Sequence, residues 1–195
     1  MDPQTLEAYE RRAEFYAEEW HAQQDPSDLY SLLERFFTPG LTADVGAGSG
    51  RDAAWLQAHG FPVVAFEPSR ALIREGMRRH PAIEFRQAAL PELIGAASGS
   101  FRNVLSETVI MHLPPALVGP SVARLWDLVT RGGTLYLSWR VTEGEDVRDE
   151  AGRLYATFDA SLVRDALTAG DLLVDEAVTS ISSGRRIHRL VARKP

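Results

Sequence analysis

The sequence contains no cysteine among its 195 residues. It can therefore form no disulfide, no thiolate metal site and no cysteine nucleophile, and it is compatible with a reducing compartment. It also lacks any apolar run near the roughly 20 residues that a membrane span needs. Residues 1–12 are polar and acidic, unlike a secretory signal peptide. We expect a cytoplasmic protein without membrane partners.

Basic residues are outnumbered by acidic ones, and the formal net charge is −6 at pH 7. Proteins that bind a phosphate backbone normally carry a basic excess or a basic stripe, so we do not expect nucleic acid as a partner. The one basic cluster, residues 185–194, alternates with apolar residues like the solvated face of a strand. With 45% hydrophobic and 25% charged residues, the composition is that of a folded globular chain. Its length predicts one domain with an appendage.

The N-terminal part predicts helices. Apolar residues at three-and-four spacing indicate one helix over residues 2–24, and a second helix is expected over residues 27–37. We assign residues 1–38 as a helical cap that belongs to the same domain as residues 39–195. Three aromatic side chains share one stripe of the first helix: Tyr9, Tyr16 and Trp20. The stripe predicts that this helix forms a lid that covers a ligand site. The alternative is that the helix simply packs on the sheet.

From residue 41 onward, short β-like runs alternate with helical patterns. The predicted strands are 41–45, 62–66, 83–86, 103–106 and 134–139, and the predicted helices are 52–59, 70–80, 91–96, 115–130 and 161–169. This alternation predicts a parallel sheet covered by helices on both faces. The runs 172–181 and 186–192 are joined by a Ser-Ser-Gly-Arg turn and predict an antiparallel hairpin. We expect the acidic stretch 143–150 to be an exposed loop.

A glycine-rich turn, Asp44-Val-Gly-Ala-Gly-Ser-Gly50, lies between the first strand and the next helix. Glycines there let the backbone approach a ligand closely, and the free N–H groups of the following helix favour negative charge. The pattern is not the dinucleotide fingerprint G-x-G-x-x-G, because Arg51 stands at its sixth position. The turn indicates a nucleotide-like ligand, and a tight strand-to-helix connection is its alternative interpretation.

Glu67 ends the next predicted strand, 17 residues after Gly50. A carboxylate at the tip of the second parallel strand can accept hydrogen bonds from both hydroxyls of a ribose. By itself Glu67 is more simply a surface acid. Together with the glycine turn it predicts a site for adenosine.

These segments resemble the class I S-adenosylmethionine-dependent methyltransferases, in particular the small bacterial type with an N-terminal helical cap. The resemblance runs through residues 44–50, Glu67-Pro-Ser69, residues 103–114, residues 132–138 and the terminal hairpin. It implies an α/β, Rossmann-like, doubly wound and mostly parallel seven-stranded sheet with a C-terminal antiparallel hairpin. It also implies S-adenosyl-L-methionine as cofactor, S-adenosyl-L-homocysteine as product, a small-molecule methyl acceptor, and a monomer or homodimer.

The resemblance also assigns cofactor contacts: Gly46, Ala47 and Gly48 to the methionine part, Glu67 to the ribose, Pro68 to the adenine edge and Ser106 to the region beside the sulfonium. The family often has an acidic residue after the third strand that holds the adenine amino group. Here Gln87, or the backbone next to it at Ala88, would have to serve. Further candidate cofactor contacts are Tyr16, Asp44 and Arg51.

Methyl transfer requires little acid–base catalysis by side chains. The leaving group is a neutral thioether, so positioning supplies most of the acceleration and a base is needed only for some acceptors. His112, just beyond the fourth strand, is the candidate base, and packing at the strand end is its alternative role. Four residues are candidates for acceptor binding: Tyr9, Trp20, Trp139 and Arg140. Arg140 is expected either to clamp an anionic group or to be an ordinary surface arginine. No histidine pair has metal-ligand spacing, so no metal is predicted.

Two other functions remain open. A nicotinamide-dependent oxidoreductase shares the strand, the turn and the acidic tip, but the chain lacks the sixth-position glycine and an evident Tyr-x-x-x-Lys pair. A non-catalytic protein that keeps the cofactor pocket for regulation or scaffolding is the second alternative, since function resides in sites rather than in folds.

Overall fold

The computed structural model describes residues 1–195. Seven helices occur in the order α1 (Pro3–Arg11), α2 (Ala13–Ala22), α3 (Ser27–Phe36), α4 (Arg51–Ala58), α5 (Arg70–Arg79), α6 (Pro115–Leu128) and α7 (Ser161–Ala166). Nine strands occur in the order β1 (Thr42–Val45), β2 (Val63–Glu67), β3 (Glu84–Gln87), β4 (Phe101–Ser106), β5 (Val129–Arg140), β6 (Val147–Arg148), β7 (Leu154–Tyr155), β8 (Asp171–Thr179) and β9 (Arg186–Arg193).

Seven of these strands form one sheet in the order β3-β2-β1-β4-β5-β9-β8. Strands β1 to β5 are mutually parallel, and β9 runs antiparallel to both of its neighbours, β5 and β8. The predicted fold class is confirmed, including the C-terminal hairpin. The strand order reverses at β1, which lies between β2 and β4, and ligands of open sheets bind at the carboxyl ends of strands at such a point.

The central strands of the sheet are buried on both faces, as their continuous apolar runs require, whereas the edge strands β3 and β8 are mostly exposed. Every residue of β1 and β2 is buried. Val104 of β4 belongs to the apolar cluster that includes α6, whereas its neighbour Leu105 packs in the cluster that includes α3 and α4. Successive residues therefore serve opposite layers, and only the strand ends remain for a site.

The N-terminal helix differs from the prediction of one helix over residues 2–24. It breaks at Arg12, whose backbone (φ −127°, ψ 28°) is not helical, into α1 and α2. Asp2 caps α1 by accepting a hydrogen bond from the Thr5 N–H at 2.9 Å. The break turns α2 so that the Trp20 ring lies against Gly48 of the glycine turn.

The predicted helix over residues 91–96 is wrong. This stretch forms turns, because Leu93 (φ 44°) and Gly95 (φ 89°) have left-handed backbone that a helix cannot continue. The structure adds two elements that were not predicted. One is a short 3₁₀ turn, Ile110–His112, and the other is the small β6–β7 hairpin, which begins within the otherwise exposed stretch 143–150.

No helix has both the length and the apolar character that crossing a bilayer requires.

Candidate active site

The glycine turn has the backbone that its sequence predicts. Gly46, Gly48 and Gly50 have φ values of +78°, +55° and +82°, a region that side chains with a Cβ rarely adopt. A Cβ on Gly46 would lie 2.3 Å from Cγ2 of Val109, and one on Gly48 would lie 2.8 Å from the Trp20 ring. Val109 and Trp20 therefore occupy the space that a side chain would need, and neither position admits a larger residue.

Glu67 connects this turn to the end of β2. Its carboxylate accepts hydrogen bonds from the N–H of Gly48 and the N–H of Ser69, both at 2.9 Å. The side chain is only 4% exposed, and burial raises the pKa of its carboxyl to about 7 although these two bonds oppose the shift. Each carboxylate oxygen keeps a second lone pair, so Glu67 can also accept hydroxyl donors from a ligand in the cavity.

Two polar atoms at the turn are buried without a hydrogen-bond partner: Oδ2 of Asp44 and Oγ of Ser49. Burial, reinforced by the negative charges of Asp52 and Glu67, raises the pKa of Asp44 well above its usual range. An unpartnered buried carboxyl is costly in a folded protein, and a cationic or hydrogen-donating ligand group would relieve the cost.

A cavity of about 330 Å³ opens at this edge of the sheet. The structure brings nine of the sequence-predicted site residues to its wall: Tyr9, Trp20, Gly46, Ala47, Gly48, Arg51, Glu67, His112 and Arg140. Arg51 is engaged there, because its guanidinium donates to both carboxylate oxygens of Asp52 at 2.9 and 3.1 Å.

The other predicted site residues lie outside this cavity. Pro68 and Ala88 line a separate slot of about 10 Å³ together with Met1 and Val109. Gln87 is exposed, and its side-chain amide donates to the carbonyl of Pro68 at 3.2 Å.

Four further residues of the prediction are buried behind the wall, Asp44 among them. Tyr16 is 2% exposed and stacks on Trp20 with ring centroids 5.8 Å apart. Ser106 donates its hydroxyl to the carbonyl of Val45 at 3.1 Å. Trp139 stacks on His188 at 4.5 Å, because alternation along β5 turns it to the face opposite that of Arg140. The structure thus does not bring Trp139 to the proposed acceptor site.

His112 is buried and uses both ring nitrogens. Nδ1 lies 2.6 Å from the carbonyl oxygen of Leu154, and Nε2 lies 2.9 Å from the hydroxyl of Tyr9. A carbonyl only accepts, so Nδ1 carries the proton, and Nε2 accepts from the Tyr9 hydroxyl. Burial lowers the pKa of His112 to about 4, which keeps the ring neutral at pH 7. Neither ring nitrogen of His112 is therefore free to take a proton directly from a ligand, and His112 can act on a ligand only through the Tyr9 hydroxyl.

The sequence reasoning missed several residues of the wall, among them Glu107, Arg153 and Tyr155. Glu107 follows β4, accepts a hydrogen bond from the Ser138 hydroxyl at 2.5 Å, and has its pKa raised to about 7 by burial. Glu107 could have been predicted as a site residue, because it directly follows a buried parallel strand. Arg153 and Tyr155 come from the β6–β7 hairpin, which gave no periodic pattern.

No cluster of three or more histidine, aspartate or glutamate side chains that could hold a metal ion occurs in the structure.

Residues 43–133 match the sequence profile of a family described as a methyltransferase domain. This segment is therefore similar in sequence to methyltransferase domains. The family expected from the glycine turn and Glu67 is thereby confirmed. No curated protein is significantly similar to the chain in sequence.

Solved structures share the fold of this methyltransferase domain over most of the chain. The 1,6-didemethyltoxoflavin-N1-methyltransferase of Burkholderia thailandensis, with bound 1,6-didemethyltoxoflavin and S-adenosylhomocysteine, has a TM-score of 0.74 at 22% identity and covers 98% of this chain and 87% of its own. An S-adenosylmethionine-dependent methyltransferase of Anabaena variabilis has a TM-score of 0.73 at 18% identity and covers 97% and 95%.

The [4+2]-cyclase SpnF shares the fold as well, with a TM-score of 0.65 at 16% identity over 86% of this chain and 80% of its own. At these identities the likeness extends to the fold alone. The reaction must be argued from the site itself.

Proposed function

We propose that this protein binds S-adenosylmethionine and transfers its methyl group to a nucleophilic atom of a small molecule. The observation that carries the proposal is the pair of buried carboxyls, Asp44 and Glu67, on either side of a glycine turn that only glycine backbone can form. The family match over residues 43–133 supports it.

The residues of the turn fit the cofactor. Glu67 has free lone pairs for the two ribose hydroxyls, and the unpartnered Oδ2 of Asp44 suits the cofactor's ammonium group. Gly46 and Gly48 allow the methionine part to approach the backbone. When bound, the cofactor supplies an electrophilic methyl group.

The adenine part is assigned to the apolar slot of Pro68 and Ala88. At about 10 Å³ this slot holds no more than a single water, so an adenine ring enters only when the Met1 side chain moves aside. Gln87 remains the proposed partner of the adenine edge, because its amide lies beside the slot at the Pro68 carbonyl.

The helical cap of residues 1–38 serves as a lid in this proposal. Trp20 and Tyr9 line the cavity from α2 and α1, and their rings lie 5.9 Å apart. An aromatic cover excludes water from the reacting atoms and keeps the acceptor in line with the methyl group.

Proton removal, where the acceptor needs it, runs through Tyr9. The acceptor's proton passes to the Tyr9 oxygen while the Tyr9 proton passes to Nε2 of His112, whose other nitrogen is fixed by the Leu154 carbonyl. The imidazolium formed is buried, so the proton transfer is favourable only in concert with the formation of the bond between the acceptor atom and the methyl carbon.

Calorimetry tests the cofactor assignment. We expect S-adenosylmethionine and S-adenosylhomocysteine to bind and a nicotinamide dinucleotide to give no heat. Glu67→Gln and Asp44→Asn should each weaken binding by about tenfold, as expected for one lost charge-assisted bond. Glu34→Gln, an exposed position on α3, is the matched control.

The reaction is tested by incubating the protein and S-adenosylmethionine with pooled metabolites and measuring S-adenosylhomocysteine release. Binding of a dinucleotide instead would refute the cofactor assignment. Cofactor binding without turnover in any pool would favour the non-catalytic alternative.

A further inference from the structure

The charge along the cavity edge of the sheet changes sign between β4 and β5. In sheet order, Glu67 is the last residue of β2, Asp44 is the penultimate residue of β1, and Glu107 directly follows β4. The next two strands bring arginines to the same edge, with Arg140 at the end of β5 and Arg185 just before β9. The acidic half suits the cationic cofactor, so the basic half is left for a different ligand group.

The two arginines of this basic half have no acidic partner. No hydrogen bond or ion pair involves the guanidinium of Arg140 or that of Arg185, although Arg140 is only half exposed. The other two arginines of the cavity are paired with acids: Arg51 with Asp52 at 2.9 Å, and Arg153 with Asp149 at 2.7 Å. The unpaired positive charge in the cavity is thus concentrated at one end.

The guanidinium of Arg140 is nonetheless held in place. Its Cζ lies 4.8 Å from the centre of the Tyr155 ring, a cation–π contact that restrains the side chain without using its N–H donors. Arg140 is paired in register with Ile187, which also lines the cavity, and the β8–β9 turn lies shortly before Ile187 in the chain. That turn adds hydroxyl groups to the wall, from Ser180, Ser182 and Ser183.

We propose that Arg140 and Arg185 bind an anionic group of the methyl acceptor, a carboxylate or a phosphate. The planar fork of arginine donors matches both groups, and the serine hydroxyls can donate to the remaining oxygens. A neutral acceptor would leave two cations facing it without compensation. This inference rests on the proposed function, because it assigns the acidic half of the cavity to the cofactor.

The experiment uses the full chain saturated with S-adenosylhomocysteine and three probes of similar size: benzoate, phenyl phosphate and benzamide. We expect saturable binding of at least one anion and affinity for benzamide at least about fivefold weaker, because benzamide lacks the charge. Comparing benzoate with phenyl phosphate distinguishes a carboxylate site from a phosphate site.

Three variants locate the binding. Arg140→Gln and Arg185→Gln should each weaken the preferred anion by about fivefold or more, and Arg140→Lys should recover part of the loss. Arg131→Gln, which removes an exposed charge near the opposite end of β5, should change nothing. Arg185 is exposed, so its variant remains informative even where Arg140→Gln perturbs folding.

Three outcomes would overturn the inference: equal affinity for benzoate, phenyl phosphate and benzamide, no saturable binding of either anion up to about 50 mM, or equal effects of Arg140→Gln and Arg131→Gln. Failure of the proposed function is distinguishable, because in that case S-adenosylhomocysteine itself gives no binding heat.

Discussion

The hydroxyl of Tyr9 on α1 lies 2.9 Å from Nε2 of His112, a residue 103 positions away in sequence. Both side chains are buried, and the second nitrogen of His112 is held by the carbonyl of Leu154 at 2.6 Å. The tautomer of His112 is therefore fixed, and the hydrogen of the Tyr9 hydroxyl points at Nε2 of His112 and not at a ligand in the cavity. The Tyr9 oxygen presents lone pairs to the cavity, which selects ligand atoms that carry a proton.

Tyr9→Phe tests this pair. The variant keeps the ring that contacts Tyr16 and Trp20 but removes the hydroxyl that accepts the acceptor's proton. We expect turnover to fall by about 10²-fold with an acceptor found in the screen, while affinity for S-adenosylhomocysteine stays within a factor of about three. Steady-state kinetics and calorimetry measure the two effects separately.

The pH dependence of turnover distinguishes proton transfer through Tyr9 and His112 from a merely structural role of this pair. Because the pKa of His112 is lowered to about 4, wild-type turnover should not decline through protonation of His112 until the pH falls toward that value. Nitrogen NMR of the ring should show the proton on Nδ1 throughout the neutral range. A proton on Nε2, or titration of His112 near its usual pKa of about 6.5, would contradict the arrangement.

The local part of this site could be predicted from the sequence. The glycine turn and Glu67 each lie at the end of a buried strand, and parallel strands bring such ends to one edge. The pairing of Tyr9 with His112 could not be predicted, because it joins two elements through the fold and no local pattern encodes it. The face of Trp139 was predictable in principle, since it alternates in phase with Leu135 and Leu137 of the core.

The parts of the fold that local sequence patterns encode could also be predicted, and the parts that depend on tertiary contacts or unusual backbone could not. Strands that are buried on both faces give continuous apolar runs, and those runs were found. The break at Arg12 gave no signal, because Tyr9 and Tyr16 on its two sides remain in contact and preserve the apolar spacing. The turns at residues 91–96 depend on the left-handed backbone of Leu93. Leucine rarely adopts this conformation, so nothing in the sequence indicated it.

Glu67 should make the stability of the free protein depend on pH. Its pKa is raised to about 7 in the folded chain from an ordinary value of 4.5. The native state thus holds this proton more tightly than the unfolded state does. The contribution is fully present below about 4.5 and is lost as the pH rises through about 7, by up to ~3 kcal/mol in the free energy of unfolding.

Urea denaturation between pH 4.5 and pH 8 measures this dependence, with Glu67→Gln as the matched variant that cannot titrate. We expect the difference in unfolding free energy between wild type and variant to shift in favour of the variant as the pH rises. Parallel stability curves for the two proteins would show that Glu67 does not titrate in this range.

Gly46 should tolerate no side chain. A Cβ there would lie 2.3 Å from Val109, and the backbone has φ +78°. Gly60→Ala is the matched control, because Gly60 has φ +83° but no atom within 4 Å of its Cβ position. We expect Gly60→Ala to cost about 1 kcal/mol in unfolding free energy and Gly46→Ala about 2–4 kcal/mol. Equal costs in thermal denaturation would show that the contact with Val109 relaxes freely.

The contact between His21 and His80 should make the cap sensitive to pH. Their Nε2 atoms lie 3.0 Å apart, and His21 donates from Nδ1 to the carbonyl of Ala17 at 2.7 Å. Nε2 of neutral His21 therefore accepts from Nε2 of His80. Two protonated rings would place two donors and two positive charges against each other, so the contact is lost when both rings are protonated.

Charged side chains surround this pair of histidines. The ion pair of Arg79 with Glu18, at 2.9 Å, lies beside it, and Glu75 contacts Arg79 at 3.6 Å. Burial lowers the pKa of His80, and the charges of His21 and Arg79 lower it further. A lowered pKa means that the neutral form stabilises the fold. This contribution is present above the ordinary histidine pKa of about 6.5 and is lost as the pH falls below it.

Hydrogen exchange should report this loss as opening of α2. After correction for intrinsic exchange, we expect α2 amides to lose about tenfold in protection between pH 7.5 and pH 5.5, with α4 as the internal reference helix. In His80→Gln the glutamine amide can still donate to His21 but cannot become protonated. We therefore expect α2 of this variant to remain protected at the lower pH. Equal loss of protection in wild type and His80→Gln would assign the opening of α2 to other titrating groups.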